Sequence, residues 1–308
     1  MNFLVTGGAG FLGAALSNRL ARQGHNVRVL DDLSAGDPGR LVPEVHFTRG
    51  DINDRPMLWT LLQEVDCVYH LAAKVSVPES ILFPRDYNTV NVGGTVTLME
   101  AARDAHTKRV VLISSGAVYG EQAIPEIKET VIPQPRSPYA VSKIAAEYYI
   151  RTIGAIAGIE SVCLRVFNAY GPGQRITASH PPIIPNFLKQ ALNNGTLVIH
   201  GDGNQTRDYV YVDDVVNAMV SAGTVLGIDQ EVINIGSGVE TSVRELANRV
   251  IALTGTRPEE VYNPRQSGGI SRISADISLA GKLLNYTPLI PLEMGLRLTL
   301  ENDPQFKR

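Results

Sequence analysis

The sequence predicts an α/β fold, with a parallel sheet covered by helices on both faces and a smaller second lobe towards the C-terminus. Short apolar runs rich in β-branched residues alternate with amphipathic stretches from the first residue to about 169. This alternation is typical of a parallel sheet, because its strands are buried on both sides and are apolar almost throughout. A sheet of this kind binds ligands in the crevice beyond the carboxyl ends of its strands.

The hydrophobic periodicity predicts the elements one by one. Strands are predicted at 2–6, 26–31, 44–50, 66–72, 109–115 and 160–167, and helices at 11–23, 54–64, 86–105 and 137–157. Beyond residue 170 the pattern is less regular, and it predicts a loop rich in Pro and Gly, a helix at 184–193, a strand at 197–200, a helix at 241–254 and an irregular tail.

The later elements are too short and scattered for an independent sheet of any size. We expect the chain to return to the first lobe between about 209 and 236. One lobe then consists of residues 1–169 and about 209–236, and the other, discontinuous lobe consists of about 170–208 and 237–308.

The composition is that of an ordinary globular protein with a large core. The chain has 308 residues, is 44% hydrophobic and carries a formal charge of −3, so it has no long-range field that would attract a polyanion. It contains no run of five basic residues, and no stretch of the roughly 18 apolar residues that a membrane span needs. We therefore expect neither nucleic acid nor a membrane among its partners.

The two cysteines, Cys67 and Cys163, lie in apolar stretches without the spacing of metal ligands. Free cysteines in such surroundings are usually small buried hydrophobes, and we expect no metal site. The first arginine is Arg19, so the N-terminus lacks the basic region of a signal peptide. These features favour a reducing, cytoplasmic location.

The segment VTGGAGFLGAAL spaces Gly7, Gly10 and Gly13 between a predicted strand and a predicted helix. Glycines in this context allow a tight turn and a close approach of the backbone, and the helix N-terminus attracts a pyrophosphate. Asp31, followed by Asp32, stands 18 residues past Gly13 at the end of the second strand. A carboxylate there binds the hydroxyls of an adenosine ribose and repels a 2′-phosphate, so the sequence predicts NAD rather than NADP.

The segment SPYAVSK places Tyr139 and Lys143 four residues apart, on one face of a predicted helix. An ammonium group beside a phenol favours the phenolate, so we expect the pKa of Tyr139 to be lowered. Ser114 and Ser115 end the fifth strand, where a hydroxyl can bond the same substrate oxygen. Together these residues predict removal of a hydroxyl proton while a hydride leaves the adjacent carbon for nicotinamide.

With these motifs the sequence resembles the extended short-chain dehydrogenase/reductases, in the group of nucleotide-sugar epimerases and dehydratases. The resemblance covers nearly the whole chain, and its motifs occur in family order: TGGAGFLG, DDLS, GDIND, YHLAA, NVGGT, SSGAVYG, SPYAVSK, RVFNAYGPGQ, GDGNQTRDYVYVDDVV, NIGSG and ADIS. It implies a Rossmann-type doubly wound sheet, bound NAD and a nucleotide-sugar substrate. It also implies a homodimer formed through the helices at about 86–105 and 137–157.

The resemblance further implies which residues contact NAD. They are Gly7, Gly10, Phe11, Leu12, Gly13, Asp31, Asp32, Asp51, Ile52, Leu71, Ala72, Ala73, Asn91, Tyr139 and Lys143. Lys143 would bond the nicotinamide ribose, and Asn91 would either bond near the nicotinamide or support the helix that carries Tyr139. Ser115 and Tyr139 would lie at the sugar hydroxyl, with Tyr139 as the base.

The nucleotide sugar would be held from both lobes. The implied substrate-binding residues are Lys74, Ser76, Ser115, Asn168, Arg207 and Arg265. Arginine suits a diphosphate, since its planar fork bonds phosphate oxygens in pairs. The segment RQSGGISR departs from the family pattern by an apparent extra residue, so Arg272 is an alternative to Arg265. An exposed charge is an equally good interpretation of Lys74.

Two residues narrow the reaction. Family members that eliminate water carry an Asp and a Glu directly after the catalytic Ser or Thr, but here those positions are Gly116 and Ala117. Neither side chain can transfer a proton, and Glu121 is more simply a solvated loop carboxylate than their substitute. What remains is oxidation of the sugar at C4, rotation of the 4-keto sugar and return of the hydride, which is epimerisation.

The sequence therefore predicts an NAD-dependent UDP-sugar 4-epimerase, with UDP-glucose and UDP-galactose as the default pair. The preference for UDP over dTDP rests on the resemblance. Alternatives are 4-epimerisation of a UDP-N-acetylhexosamine or a UDP-uronate, and then a nucleotide-sugar dehydratase or a 4-keto reductase. A non-enzymatic alternative is an NAD-loaded binding or sensor protein, because a fold does not fix a function.

Overall fold

The first lobe is built on a sheet whose strands are all parallel. The computed structural model describes residues 1–177, 181–264 and 270–307. Within these ranges seven strands form the sheet in the order β11-β7-β5-β4-β1-β2-β3. The strands are β1 Asn2–Thr6, β2 Asn26–Asp31, β3 His46–Arg49, β4 Cys67–His70, β5 Arg109–Ser115, β6 Glu126–Ile127, β7 Glu160–Val166, β8 Asn168–Tyr170, β9 Thr196–His200, β10 Thr206–Tyr211, β11 Glu231–Ile235, β12 Glu240–Ser242, β13 Glu259–Asn263 and β14 Ser274–Ala275.

Helices cover both faces of this sheet and form most of the second lobe. They are α1 Phe11–Arg22, α2 Arg55–Leu61, α3 Val77–Leu82, α4 Pro84–Tyr87, α5 Gly94–Asp104, α6 Pro138–Ala157, α7 Ile183–Leu192, α8 Val212–Thr224, α9 Val243–Thr254, α10 Ser278–Leu284 and α11 Leu292–Asn302. The predicted α/β class with a doubly wound parallel sheet is confirmed.

The order of the strands explains where a ligand site can form. β1 lies between β2 and β4, so the chain leaves β1 in one direction across the sheet and later returns to the other side of it. Loops diverge at such a switch point and leave a crevice beyond the carboxyl ends of the strands. β11 joins the same sheet beside β7, with Ile233 opposite Leu164.

The sequence signals at the ends of α6 fix its position. The Ser137 side chain accepts a hydrogen bond from Ala140 N, Pro138 occupies the first helical position, and Gly158 ends the helix at a φ of 70°. These are the usual signals of a helix N-cap, first turn and left-handed C-terminus. The predicted helix at 137–157 therefore agrees with the structure to within one residue.

The predicted helix at 86–105 differs from the structure, which has α4, a π-helical turn at Asn88–Gly93 and then α5. The reason is a side chain in that turn. Asn91 Oδ1 accepts a hydrogen bond from Lys74 N at 2.8 Å, and its Nδ2 donates to Lys74 O at 3.0 Å. Single π-helical turns within helices often occur at functional sites.

The predicted irregular tail is wrong, because α10 and α11 occupy much of it. Both helices bury apolar side chains, with Leu284 and Leu296 each at most 2% exposed. The segment between them is held by Asp214 of α8, whose carboxylate accepts hydrogen bonds from Leu289 N and Ile290 N. The contact with Asp214, which is distant in the sequence, thus stabilises the segment between α10 and α11. Local periodicity does not reveal such a contact.

The second lobe contains only small sheets in the described part of the chain. Their orders are β12-β10-β8, β13-β9 and β14-β6. β8 follows β7 after a single residue and pairs with β10, so the three-stranded sheet begins directly after a strand of the large sheet.

Asp208 of β10 joins several segments at the base of the second lobe. Its side chain is fully buried. It accepts hydrogen bonds from Ser237 N and Oγ at 2.6 Å, from Gly238 N at 3.0 Å and from Ala275 N at 3.0 Å. Burial raises the pKa of this carboxyl group, and the bonds from Ser237 and the backbone oppose that rise.

We expect Asp208→Asn to lower the free energy of unfolding by about 3 kcal/mol, because an amide replaces one accepting oxygen with a donor that faces N–H groups. Urea unfolding measures the change. Asp213→Asn is the matched control, since Asp213 is exposed and its contact with Arg19 is 4.0 Å long, and it should change stability by less than about 0.5 kcal/mol. Equal effects of the two substitutions would contradict this account of Asp208.

Candidate functional site

The loop between β1 and α1 forms one wall of the crevice. Gly7 has a φ of 68°, and a Cβ there would lie 2.7 Å from Ala72 N. A Cβ on Gly13 would lie 2.1 Å from Gly7 O, so this glycine lets the helix pack directly against the turn. Gly10 is different, because a Cβ would meet only Gly7 O, at 3.2 Å. It begins α1 without a side-chain cap, so the first N–H groups of the helix face the crevice.

Asp31 connects the end of β2 with this loop. Its Oδ2 accepts a hydrogen bond from Ala9 N at 3.0 Å, and its Oδ1 accepts one from Leu33 N at 2.9 Å. Burial raises the pKa of the Asp31 carboxyl group, while the two backbone bonds lower it. Each oxygen keeps a further lone pair, so the carboxylate can still accept from hydroxyls. Asp32, by contrast, is exposed and accepts bonds from its neighbour Ser34.

The other predicted cofactor residues of the first lobe lie along the same edge. Asp51 and Ile52 follow β3, and Asp51 Oδ1 accepts a hydrogen bond from Asn53 N at 2.8 Å. Leu71, Ala72 and Ala73 follow β4 and are partly exposed. Phe11 and Leu12 lie in the first turn of α1. The carboxyl ends of four neighbouring strands thus bring these residues to one side of the sheet.

Ser115, Tyr139 and Lys143 meet where β5 ends against the first turns of α6. Tyr139 is 8% exposed, and the Ser115 side chain lies close enough to its phenol to lower the pKa of that group. Lys143 is 5% exposed and donates from Nζ to Ile113 O at 2.8 Å. The three predicted catalytic residues are therefore close together.

The expected lowering of the Tyr139 pKa is not found. Burial raises the pKa of the phenol, and the hydrogen bond with Ser115 only partly offsets this effect. Lys143 does not contribute, because its ammonium group is directed to a carbonyl of β5. Burial also lowers the pKa of Lys143 itself to about 8, against the favourable charge of Glu147. The sequence pattern correctly predicted that Tyr139 and Lys143 lie close together. It did not predict the hydrogen-bond partner of either side chain.

The structure separates the two serines that end β5. Ser114 is buried and donates from Oγ to Glu147 Oε1 at 2.5 Å. Ser115 is partly exposed, and its Oγ accepts from Ala117 N at 3.2 Å. Ser115 therefore remains as the serine that faces Tyr139.

Asn91 belongs to a buried network behind the crevice. Its Nδ2 donates to Ser142 Oγ at 2.9 Å, and Ser142 Oγ donates to Tyr139 O at 2.8 Å. Asn91 was expected either to bond near the nicotinamide or to support the helix that carries Tyr139. These contacts are those of the second role.

His70 completes this network. Its Nδ1 lies 2.8 Å from Thr6 Oγ1 and its Nε2 lies 2.9 Å from Thr95 Oγ1, which in turn donates to Asn91 O at 2.5 Å. Burial, with a smaller effect of the Lys143 charge, lowers the pKa of His70 to about 3. The imidazole is therefore neutral at ordinary pH and joins β1, β4 and the π-helical turn. The sequence analysis missed this residue, although a histidine at the end of an apolar strand was a visible signal.

Gly116 and Ala117 open a short 3₁₀ turn, Gly116–Tyr119, directly after Ser115. A Cβ on Gly116 would lie 3.1 Å from the ring of Phe167. Glu121 is a partly exposed loop carboxylate, and it also accepts hydrogen bonds from Ser271 Oγ and, at 2.9 Å, from Ser271 N. The bonds with Ser271 lower its pKa, so it is a poor proton donor and instead joins the two lobes.

Lys74 and Ser76 lie beyond β4, close to a second tyrosine. Lys74 Nζ is 3.6 Å from Glu79 Oε1 and 5.9 Å from the centre of the Tyr87 ring. The Tyr87 ring packs edge-on against that of Tyr139, with 6.4 Å between their centres. Ser76 caps α3 by accepting a hydrogen bond from Glu79 N. Sequence reasoning missed Tyr87 as the link between Lys74 and the tyrosine.

The predicted residues of the second lobe are less closely grouped. Asn168 is exposed at the start of β8, beside Tyr209 of β10. Arg207 of β10 is partly buried, and its Nη1 donates to Thr206 O and Ile270 O, both at 2.7 Å. Arg272 is exposed and forms an ion pair with Glu240 at 2.8 Å. Arg265 lies outside the described residues.

Two further properties concern the described ranges as a whole. None of their helices is both long and apolar enough to cross a bilayer. They contain no group of three or more His, Cys, Asp or Glu side chains arranged to hold a metal ion. Cys67 and Cys163 are both buried free thiols.

Comparison with known proteins gives consistent matches along the chain. The profile of the NAD-dependent epimerase/dehydratase family matches residues 3–236. The UDP-glucose 4-epimerase of Mycolicibacterium smegmatis is 38% identical over 308 residues, which is 98% of each chain. The solved UDP-glucose 4-epimerase of Thermotoga maritima, with UDP-glucose, is 36% identical with a TM-score of 0.94 and covers 98% of each chain. A UDP-glucuronic acid 4-epimerase of Bacillus cereus, solved with UDP-glucuronic acid and NAD, is 33% identical with a TM-score of 0.91 and covers 100% of each chain.

The buried His70 makes stability depend on pH. Its pKa is about 3 in the folded chain against 6.5 for an ordinary histidine, so the unfolded chain binds more protons below pH 6.5 and stability falls as the pH is lowered. We expect a loss of about 2 kcal/mol between pH 7 and pH 5 from this residue alone. Urea unfolding at the two pH values measures it. In His70→Gln the pH-dependent loss should be smaller by that amount, and an equal loss in both proteins would contradict the assignment.

Proposed function

Because the chain belongs to the NAD-dependent epimerase/dehydratase family, we propose that it is a UDP-sugar 4-epimerase with UDP-glucose and UDP-galactose as its default substrates. The family predicted from the sequence is confirmed, and the predicted 4-epimerase activity agrees with that of the named relatives. The observation that carries the proposal is the meeting of Ser115, Tyr139 and Lys143 beside Gly116 and Ala117, which carry no acid.

The residues of the crevice fit NAD. The uncapped N-terminus of α1 and the open face of Gly10 suit a pyrophosphate. Asp31 suits the adenosine ribose, and its negative charge opposes the extra phosphate of NADP. On this proposal Asp51 and Ile52 lie beside the adenine, and Leu71, Ala72 and Ala73 line the path from the pyrophosphate to Tyr139.

Bound NAD would accept a hydride from C4 of the sugar and return it to the opposite face of the 4-keto sugar. Tyr139 would take the proton of the C4 hydroxyl, and Ser115 would hold the same oxygen. The Lys143 ammonium, now directed to Ile113 O, would bond the nicotinamide ribose and favour the phenolate of Tyr139. No second acid is needed, because no group leaves the sugar.

The sugar must turn while its nucleotide stays in place. Asn168 and Arg207 are proposed to hold the diphosphate side, with Arg265 or Arg272 closing on the phosphates. Arg207 is favoured by its position at the junction of the lobes, where burial lowers the pKa of its guanidinium without neutralising it. Arg272 is the weaker candidate, because it is paired with Glu240.

The identity of the sugar is argued from Lys74. A free cation beside the tyrosines would favour a uronate, but Glu79 lies 3.6 Å from Lys74 Nζ and compensates its charge. The pair therefore favours a neutral hexose, and Ser76 on the same loop supplies a hydroxyl near it. A UDP-uronate is the second candidate, supported by the relative from Bacillus cereus.

The two lobes divide the work in this proposal. The first, residues 1–169 with about 209–236, would bind the cofactor, and the second, about 170–208 with 237–308, would bind the nucleotide sugar. We further propose a cytoplasmic homodimer. Two buried free thiols suit a reducing compartment.

The main support for the homodimer is the outer face of α6. Val141, Tyr148, Tyr149 and Ile156 expose 51%, 62%, 45% and 82% of their surfaces there. Large apolar side chains repeated along one helix face are typical of a protein interface.

We expect purified protein to invert C4 of UDP-glucose, and Tyr139→Phe to lower kcat by about 10²- to 10⁴-fold because the base is lost. Incubation with a panel of UDP- and dTDP-sugars, followed by NMR, measures C4 inversion and distinguishes it from loss of water or carbon dioxide. A sugar deuterated at C4 should keep its deuterium in the product.

Bound NAD, measured after denaturation of the purified protein, should be equal in Tyr139→Phe and in the unmutated chain. Tyr148→Phe, on the outer face of the same helix, is the matched control and should keep full activity. If the unmutated chain inverts no nucleotide sugar while carrying NAD, the sensor alternative replaces the proposal.

For the dimer, we expect Tyr148→Asp to halve the mass in solution to that of one 33.4 kDa chain, because a carboxylate would be buried at the contact. Light scattering during size-exclusion chromatography measures the mass. Leu226→Asp, at a residue that is 88% exposed and distant from α6, should leave the dimer intact. An unmutated chain that runs as a monomer would refute this part of the proposal.

A further inference from the structure

Three successive turns of α6 each meet one of three successive residues of β5. Tyr139 interacts with the Ser115 side chain, Lys143 donates to Ile113 O at 2.8 Å, and Glu147 accepts from Ser114 Oγ at 2.5 Å. Residues four apart on a helix lie on one face, and successive strand residues alternate between faces. β5 uses the backbone carbonyl of Ile113 and the side chains of Ser114 and Ser115 for these contacts.

The third of these contacts has no part in the proposed reaction, although it is the most deeply buried. Glu147 is 2% exposed and Arg165 of β7 is 5% exposed. Arg165 donates from Nε at 3.0 Å and from Nη2 at 2.7 Å to the two oxygens of Glu147. The Arg165 guanidinium also stacks 4.7 Å from the centre of the Tyr119 ring. Glu147 is therefore held rigidly from two strands.

The charged and titratable groups around Lys143 come from several elements. On α6 they are Tyr139 and Glu147, one turn away on either side. β4 contributes His70, which is neutral, and β7 contributes Cys163, whose thiol pKa is raised by burial, together with Arg165. Glu129 and Arg151 act more remotely, the first on Arg165 and the second on Cys163. Glu147 is thus the nearest group that carries a negative charge at neutral pH.

We propose that Glu147, fixed by Ser114 and Arg165, is a positioning residue that keeps Lys143 in register with Tyr139 and maintains its ammonium charge. The carboxylate lies on the same helix face one turn below Lys143, in an interior that screens charge weakly. Arg165 is a second cation on the same carboxylate, and its charge acts on the Lys143 ammonium in the opposite direction.

This role predicts the direction in which the titration midpoint of Lys143 moves in each variant. A purely structural ion pair makes no such prediction. Removing one partner of a buried pair destabilises a protein whichever partner is removed. The effect on Lys143, however, depends on which charge remains. With Arg165 left alone the ammonium is disfavoured, and with Glu147 left alone it is favoured.

The test measures the titration of Lys143 directly in three variants. Lysine labelled with ¹³C at Cε gives one NMR signal per lysine, and the Lys143→Arg spectrum identifies the signal of interest. We expect its midpoint to fall by about one pH unit in Glu147→Gln and to rise in Arg165→Met. In the double variant, which removes both charges, it should lie between the midpoints of the two single variants.

Ser114→Ala is the matched control, because it removes a contact of Glu147 and keeps both charges, and it should leave the midpoint within about 0.3 unit. Thermal unfolding and circular dichroism show which variants are folded. If one of the single variants does not fold, the midpoints of the other single variant and of the double variant test the proposal. The double variant should fold, since replacing both partners of a buried pair is tolerated far better than replacing one. Midpoints that move in the same direction in both singles, or do not move in Glu147→Gln, overturn the proposal. So does a double variant whose midpoint lies outside the range between the two single variants.

The consequence for turnover rests on the proposed epimerase function. The alkaline limb of the kcat profile should move with the Lys143 midpoint, so that at pH 7.5 Glu147→Gln loses about threefold of kcat through this charge alone. An inactive unmutated chain would refute the proposed function and leave the NMR result to decide the role of Glu147. An active chain whose alkaline limb ignores the midpoint would refute the inferred link to Lys143.

Discussion

The packing of α6 against the end of β5 is the constraint on which the candidate site depends. Tyr139 and Lys143 are useful only if their helix holds one register and one depth against the strand that carries Ser115. The register is fixed by contacts along three turns, and Gly154 lets the end of the helix approach the start of β7, since a Cβ there would lie 2.7 Å from Ile159 O. The geometry of the candidate site therefore depends directly on how α6 packs against β5.

Burial has opposite effects on the groups of this unit. The interior that excludes water from Tyr139 raises the pKa of the phenol and lowers that of Lys143 to about 8, so burial disfavours the charged form of both groups. A proton acceptor at neutral pH then requires charges supplied from nearby. The Glu147–Arg165 pair has no net charge, but its two separated charges act electrostatically on Lys143. His70 is neutral and contributes only hydrogen bonds. The polar groups behind the crevice are thus of two kinds with different physical effects.

Local patterns in the sequence predicted what is local in the structure. Apolar strands, the spacing of the glycines and the four-residue separation of Tyr139 and Lys143 follow from the periodicity of strands and helices, and most strand and helix bounds agree within a few residues. The direction of the Lys143 ammonium, the separate roles of Ser114 and Ser115 and the order of the C-terminal tail depend on partners more than 25 residues away, such as Ile113 and Asp214. Such contacts leave no period in the sequence, although Glu147, four residues after Lys143, was a visible signal.

The absence of an acid after Ser115 also has a structural cause. A side chain at Gly116 would press against Phe167, which packs on Tyr119, whose ring receives the Arg165 guanidinium. Inserting a carboxylate at that position would therefore disturb the stack that holds the partner of Glu147. The packing beside Arg165 thus disfavours an acid at Gly116, the first of the two positions that carry acids in the family members that eliminate water.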